Sequence, residues 1–488
     1  MLMAPRPRYI PAPDARPRSP GARSLGVRLL IALLLAGTLS ACGEPRYRQV
    51  VLVTIDTLRA DHLPAYGYPR PTAPFLDELA ETGVVFTRAH ATMSITAPSH
   101  ASMFTGLLPA QHGLLRNGDT LPPELPALAR TFRRAGYQTA AFTSAIFLQR
   151  VATGFRTIDS ELREGEATME RALKWVERLE PDQPFLLWVH LFDVHEAGIP
   201  GKEAPPELYE EIEEGTALDR DALYSRLAMH HGLPDPPAGA PFPEMKWAII
   251  ENGRPLTRRS RAELLASIDH YDAQIARVDG LIRRLYEAVE GLGSETPRLW
   301  VITSDHGEGL GSHGYRSHDR LIYQEQLRVP LVFHATDGAI APGRDDSLVS
   351  LVDLFPTLLD AAGEETATEA NPEGISLWSR LIDGKPVERG RTVFAQRKPM
   401  PQAEGGVFAA ITENHKYILH TGAEDEFFDL VGDPLELRSD PDHPDAKALL
   451  DRATSKLDET GWGALLSPTG DQIPAEVMNE LRALGYVE

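Results

Sequence analysis

Gln49-Val50-Val51-Leu52-Val53-Thr54-Ile55-Asp56 is a nearly continuous apolar, β-branched run that ends on a carboxylate. Such a run fits a strand covered on both faces, as inside a parallel sheet. Leu299–Thr303 repeats the design and delivers Ser304, Asp305 and His306. Phe185–Val189 does so again, followed by His190, Asp193 and His195, and Val329–His334 is a fourth run. Between them lie helical patterns. Ala73–Gly83 and Leu125–Gly136 are amphipathic and each stops at a glycine. Ile268, Tyr271, Ile275, Val278 and Ile282 mark one face of a long helix. This alternation predicts an α/β fold: a doubly wound, mostly parallel sheet flanked by helices, with its site at the carboxyl edge. Strand-like segments at Thr392–Ala395, Val407–Ile411 and Tyr417–His420, then a helix near Lys447–Glu459, predict a small C-terminal α+β domain. The expected divisions are a leader (1–41), a tether (42–48), a main domain (49–385) and the small domain (386–488). Residues 196–262, rich in Pro, Gly and Glu, read as an insertion beside the site.

The N-terminal segment has its own logic. Cys42 is the only cysteine among 488 residues. It closes Leu39-Ser40-Ala41-Cys42, after an apolar run from Leu29 and an Arg-rich start. That order is a bacterial lipoprotein signal, in which small residues precede a Cys that becomes acylated. The apolar run is shorter than the ~20 residues a spanning helix needs. The expectation is a membrane-anchored lipoprotein of the bacterial cell envelope, on its periplasmic or extracellular side. Removing residues 1–41 takes six Arg and one Asp from a chain with 49 Lys+Arg and 70 Asp+Glu, leaving 447 residues of net charge −26. So acidic a body argues against a nucleic-acid partner and against electrostatic adhesion to anionic lipid. Membrane attachment then falls to the acyl group.

Four pieces could carry chemistry. They are Asp56 in Thr54-Ile55-Asp56-Thr57; Thr96-Ala97-Pro98-Ser99-His100; His190 to His195; and Ser304-Asp305-His306-Gly307-Glu308, with His313 and His318 beyond. Each alone is weak. All four, in this order and next to predicted strands and helices, resemble the sulfatase family of the alkaline phosphatase superfamily. Matching phrases include Tyr66-Gly67, Ala135-Gly136-Tyr137, Arg328-Val329-Pro330 and Asp429-Leu430, so the resemblance covers roughly residues 49–437.

The resemblance implies a divalent metal held by Asp56, Asp305, His306 and the nucleophile. Sulfatases usually convert a Cys or Ser into an aldehyde, in a motif that ends in Arg. Here the motif begins with Thr96 and ends with His100, and Thr57 stands where many sulfatases have another metal-binding Asp. These departures are similar to the Thr-nucleophile branches of the superfamily. The expected catalytic residues are Thr96, His195, His318 and His100, with His313 and Arg59 as candidate substrate contacts. Thr96 precedes Pro98 at a helix start, where N–H groups and the dipole would favour an anion. One metal ion is expected, with Zn²⁺ or Mn²⁺ favoured over Ca²⁺, which takes about six to eight oxygens.

The expected activity is hydrolysis of an anionic phosphate- or sulfate-type ester, with an envelope glycan or lipid as the candidate carrier, through a covalent Thr96 intermediate. Alternatives are a sulfuric ester hydrolase that works without the aldehyde, a phosphoethanolamine-type transferase, and a catalytically silent lipoprotein that binds anionic glycans.

Overall fold

The computed structural model describes residues 46–195, 204–216, 247–251, 254–259, 261–293, 295–364, 373–398, 405–461 and 477–479. Cys42, most of the tether and most of the 196–262 insertion lie outside them. The strands are β1 (Gln49–Ile55), β2 (Val84–His90), β3 (Gln138–Thr143), β4 (Thr157–Ser160), β5 (Phe185–Leu191), β6 (Trp247–Glu251), β7 (Arg254–Arg259), β8 (Arg298–Ser304), β9 (Arg328–Ala335) and β10 (Gly343–Ser350). Four more follow: β11 (Val393–Arg397), β12 (Val407–Ile411), β13 (His415–His420) and β14 (Glu426–Asp429). The helices that position the site are α1 (Pro74–Thr82), α2 (Thr96–Thr105), α3 (Gly165–Val176), α4 (Arg261–Glu290), α5 (Leu354–Ala361) and α6 (Ala446–Thr460).

Eight strands form one sheet in the order β10-β2-β9-β8-β1-β5-β3-β4. β9 pairs antiparallel with both neighbours, and the other pairings are parallel. β1 lies between β5 and β8 and is buried along its whole length, which explains its unbroken apolar run. Its side chains alternate between two cores. Val50 and Leu52 join Ala97, Ala101 and Phe104 of α2 and Leu354 and Leu358 of α5. Val51, Val53 and Ile55 join Leu76 of α1, Met169 of α3 and Ile275, Val278 and Ile282 of α4. Helices therefore cover both faces, as the sequence pattern predicts.

Three strands escaped that pattern. β10 (GRDDSLVS) and β4 (TIDS) are edge strands, paired on one side only, so their sequences are polar. β2 carries Arg88 at mid-strand. In the insertion, β6 and β7 form an antiparallel hairpin, and a helix at Pro206–Glu214 places Ile212 against Ala273 of α4.

β11 to β14 form a second, antiparallel sheet. One face, with Ala395, Val407, Ala409 and Ile411, belongs to the same core as α2 and α5. The other face packs Phe408 and Ala410 on Ala453 of α6. The small sheet is thus held against the α2 side of the large one.

His90 and His112 are buried, and burial pushes each down to about 3. An unfolded chain protonates them near pH ~6.5, so the unfolded state binds more protons at every pH between that value and the folded one. Stability must therefore fall as pH drops through this window. His112→Asn, which can still accept from the Leu114 N–H that now meets Nδ1 at 3.1 Å, is expected to flatten the fall. Urea midpoints between about pH 7 and 4 measure it, and an unchanged slope would remove His112 from the account.

Candidate active site

Register decides where the polar residues gather. Ile55 of β1 lies opposite Leu191 of β5 and Ser304 of β8, so three parallel strands stop at one edge. Asp56, His190 and the Asp305–His306 pair therefore meet there. Thr57, the next residue, is buried and has φ 56°, an unusual state for a β-branched residue. Three bonds hold it. Its N–H donates to Asp305 Oδ1 (3.2 Å), its hydroxyl donates to the Asp56 carbonyl (2.8 Å), and Tyr271 Oη donates to its carbonyl (2.7 Å). Tyr271 Oη also accepts from Arg59 N at 2.8 Å, so one phenol on α4 clamps the turn that carries Asp56.

Thr96 is the first residue of α2, after an extended Ile95. Its Oγ1 lies 3.4 Å from His306 Nε2. His306 Nδ1 donates to the Gly307 carbonyl at 2.9 Å, which leaves the Nε2 lone pair facing Thr96. Gly307 N–H donates to the Gln326 carbonyl at 2.8 Å, and a Cβ on Gly307 would collide with the Glu325 carbonyl. Only glycine allows that approach, which fixes the loop carrying His306.

The ligating atoms of Asp56, Asp305 and His306 all lie within 4.8 Å of one another. Asp56 Oδ2 bonds His190 Nε2 at 3.1 Å, whereas Asp56 Oδ1 and Asp305 Oδ2 are buried with no hydrogen-bond partner. Burial, then the charge of Asp305, pushes the Asp56 carboxyl well up. Burial also acts to raise Asp305, but His306, His100 and His190 together outweigh it and hold that carboxyl low. Two orphaned carboxylate oxygens, an imidazole lone pair and a hydroxyl fit a divalent cation.

Two further histidines close the group. His318 Nδ1 is 3.3 Å from Glu308 Oε2, and its ring is 4.7 Å from that of His306. Burial opposes its charge, but Glu308 prevails and pushes His318 up to about 9. His195 stacks on Phe192 at 4.4 Å and meets His318 edge-on at 4.8 Å. Burial, then His318 and His306, pushes His195 well down. A charged and a neutral imidazole thus stand side by side, the arrangement that separates an acid from a base.

A family model described as sulfatase matches residues 48–364. The chain belongs to the sulfatase family. It is a sulfatase-like hydrolase, and residues 311–461 also match the C-terminal model of N-sulphoglucosamine sulphohydrolase. A multifunctional alkaline phosphatase superfamily protein, PehA, of Trinickia caryophylli is 26% identical over 81% of this chain and 92% of its own length. An ulvan-active sulfatase of Formosa agariphila is 25% identical over 88% of this chain and 86% of its own length. The solved phosphonate monoester hydrolase of Agrobacterium radiobacter has a TM-score of 0.64 at 20% identity, covering 85% of this chain and 95% of its own.

Some of the expected residues are engaged by the protein itself rather than facing the Thr96 hydroxyl. His100 was the expected replacement for the motif's Arg. Both its ring nitrogens are engaged inside the protein: Nδ1 donates to the Thr96 carbonyl at 2.8 Å and Nε2 meets Thr54 Oγ1 at 3.0 Å. Burial pushes His100 down to about 4, so it is neutral. His313 and Arg59, expected at the substrate, line another cavity of about 220 Å³, whose walls include neither Thr96 nor Asp305. His313 is held by Glu325 and the Glu436 carbonyl, each at 3.0 Å. Arg59 is 1% exposed and paired with Asp61 at 2.8 Å. Asp193 accepts from Gly165 N at the start of α3 at 2.9 Å.

The helix start also differs from expectation. Ala97 N donates to Asn117 Oδ1 at 2.9 Å, Pro98 has no N–H, and Ser99 N bonds the Ile95 carbonyl at 3.1 Å. Few N–H groups are left for an oxyanion. Asn117 Nδ2, buried and without a partner, is a donor that sequence reading missed. No local motif marks Asn117; only its contact with α2 does.

Adding Zn²⁺ or Mn²⁺ to metal-stripped protein is expected to raise its thermal unfolding midpoint, since an ion relieves the Asp56–Asp305 repulsion. Asp305→Asn should remove most of that rise. An equal rise in both proteins would point to ions bound elsewhere, such as at His415, His443 and Asp445.

Proposed function

We propose that the chain cleaves an anionic ester of phosphorus or sulfur at this centre, with Thr96 as the attacking group. The observation that carries the reading is the Thr96 hydroxyl at a buried helix start, 3.4 Å from the one His306 nitrogen that shares a cluster with Asp56 and Asp305. A divalent ion held by Asp56, Asp305, His306 and the Thr96 oxygen would acidify that hydroxyl and offset charge on the ester oxygens. A set with one nitrogen and three oxygens favours Zn²⁺ or Mn²⁺ over Ca²⁺.

The chain's own groups supply the rest. The Thr96 hydroxyl proton passes to water, and Oγ1 bonds to phosphorus or sulfur as the bond to the leaving oxygen breaks. His318, charged through Glu308, is the group suited to protonate that oxygen. Asn117 Nδ2 can donate to an equatorial oxygen, and the α2 dipole favours the same charge. Water then resolves the covalent Thr96 ester, and neutral His195 is available to take its proton. His100 positions Thr96 through the Thr96 carbonyl.

Phosphorus is the favoured centre, because Thr96 has no route to the aldehyde on which sulfate chemistry in this family usually rests. The sulfatase family model and the ulvan-active relative favour a second reading, a sulfuric ester hydrolase. Parallel turnover of aryl sulfate, aryl phosphate, bis-aryl phosphate and aryl phosphonate by one preparation decides between them. Thr96→Ala is expected to lower kcat on the best of these by at least ~10³-fold, with an unchanged unfolding midpoint. Sulfate as the fastest ester would overturn the phosphorus preference, and surviving turnover in Thr96→Ala would overturn the nucleophile.

The proposal extends to location. An acylated Cys42 would hold the hydrolase at the envelope membrane, within reach of a glycan or lipid ester. Cys42→Ser should move the protein from the membrane fraction to the soluble one. Retention in the membrane fraction would exclude the acyl anchor.

A further inference from the structure

The small antiparallel sheet does more than fill space beside α2. Gln396 N, in β11, donates to the Thr92 carbonyl at 2.9 Å, and Ser94 Oγ donates to the Leu321 carbonyl at 3.0 Å. The end of β11, the loop that leads to Thr96 and the segment after His318 are therefore joined. β11 ends on Arg397, and Lys398 follows it.

Both are cations in a poor setting. Arg397 is 4% exposed, its Nε has no hydrogen-bond partner, and its other contact is a donation to the Gly405 carbonyl at 3.0 Å. Lys398 is half-buried and makes no hydrogen bond or ion pair among the described residues. Burial, then the neighbouring Arg116, pushes it down to about 8. The acids in electrostatic reach are Asp119 and Asp319. Asp119 already pairs with Arg116 at 2.8 Å. Asp319 accepts from Tyr315 Oη at 2.9 Å and has Arg320 at 4.0 Å. Neither Arg397 nor Lys398 thus has a carboxylate of its own among the described residues, in a chain whose net charge is −21. A buried cation without its own counter-charge is costly and calls for an anion from outside. The flanking residues indicate where that anion sits. Arg116 precedes Asn117, and Asp319 follows His318.

We infer that Arg397 and Lys398 form a subsite for a second anionic group, so that the preferred substrate carries a carboxylate, sulfate or phosphate besides the ester that is cleaved. The inference rests on the hydrolase reading above and narrows its substrate class. An acidic protein that acts on polyanions needs such a local patch, because its overall field repels them.

The test uses two 4-nitrophenyl esters of the oxyacid turned over fastest, one with an added ring carboxylate. The measured quantity is the ratio of kcat/KM, carboxylated over plain. Lys398→Met is expected to lower that ratio about tenfold, the scale of one charge-assisted hydrogen bond. Lys398→Arg should largely keep it, and Arg397→Gln should lower it as well. A ratio unchanged in both Lys398→Met and Arg397→Gln overturns the subsite, since a structural role would slow both esters alike. A second arm needs no turnover: equilibrium dialysis of the two esters against Thr96→Ala, with and without Lys398→Met. A binding preference that vanishes with Lys398→Met, in a protein whose wild type turns over neither ester, supports the subsite and sinks the hydrolase reading. Turnover with no binding preference does the reverse.

Discussion

Repulsion between two buried carboxylates, Asp56 and Asp305, sets the terms for the structure around them. Each is fully buried, and each keeps one oxygen without a hydrogen bond. Like charges in a low dielectric repel strongly, and unfolding would release them to water. The fold resists with rigid supports. β1 and β8 are locked in parallel register up to the residue before each carboxylate. Thr57 is held in a strained turn by Asp305, Asp56 and Tyr271. Gly307 wedges the next loop against the Gln324–Leu327 helix. Such strain persists where the surroundings over-determine it, and it accompanies function.

The histidines show how position divides one residue type into several roles. His306 presents a lone pair because the Gly307 carbonyl takes its other nitrogen. His318 is charged because Glu308 faces it. His195, next to it, is neutral because burial and that same charge oppose its proton. His100 is buried and bonded on both sides, which suits it to fix α2 rather than to meet a substrate. His90 and His112 are neutral core groups, because burial opposes their charge.

Charge is distributed on two scales. The chain as a whole is acidic, yet Arg116, Lys398, Arg397 and Arg320 lie within electrostatic reach of one another, pair by pair. These come from three separate stretches of sequence, so no basic run betrays them. β11 of the antiparallel sheet and the residue after it supply two of the four, and the sheet shares its core with α2.

Local pattern determined the architecture. The apolar runs at β1, β5 and β8 could be buried only inside a parallel sheet, and the residues that end them, Asp56, His190 and Asp305, were legible as a candidate site for that reason. Thr96 was legible from the Pro98 helix start and the family-like wording around it. The polar edge strands were hidden, because a strand paired on one side need not be apolar. What the tertiary structure alone decided was orientation and neighbourhood. It turned His100, Arg59 and His313 into protein contacts, recruited Asn117 to the head of α2, and gathered four cations from distant segments. Hydrophobic periodicity reports which face of an element is buried. It carries no information on which side chains from separate elements share a few ångströms, because long-range packing sets those distances.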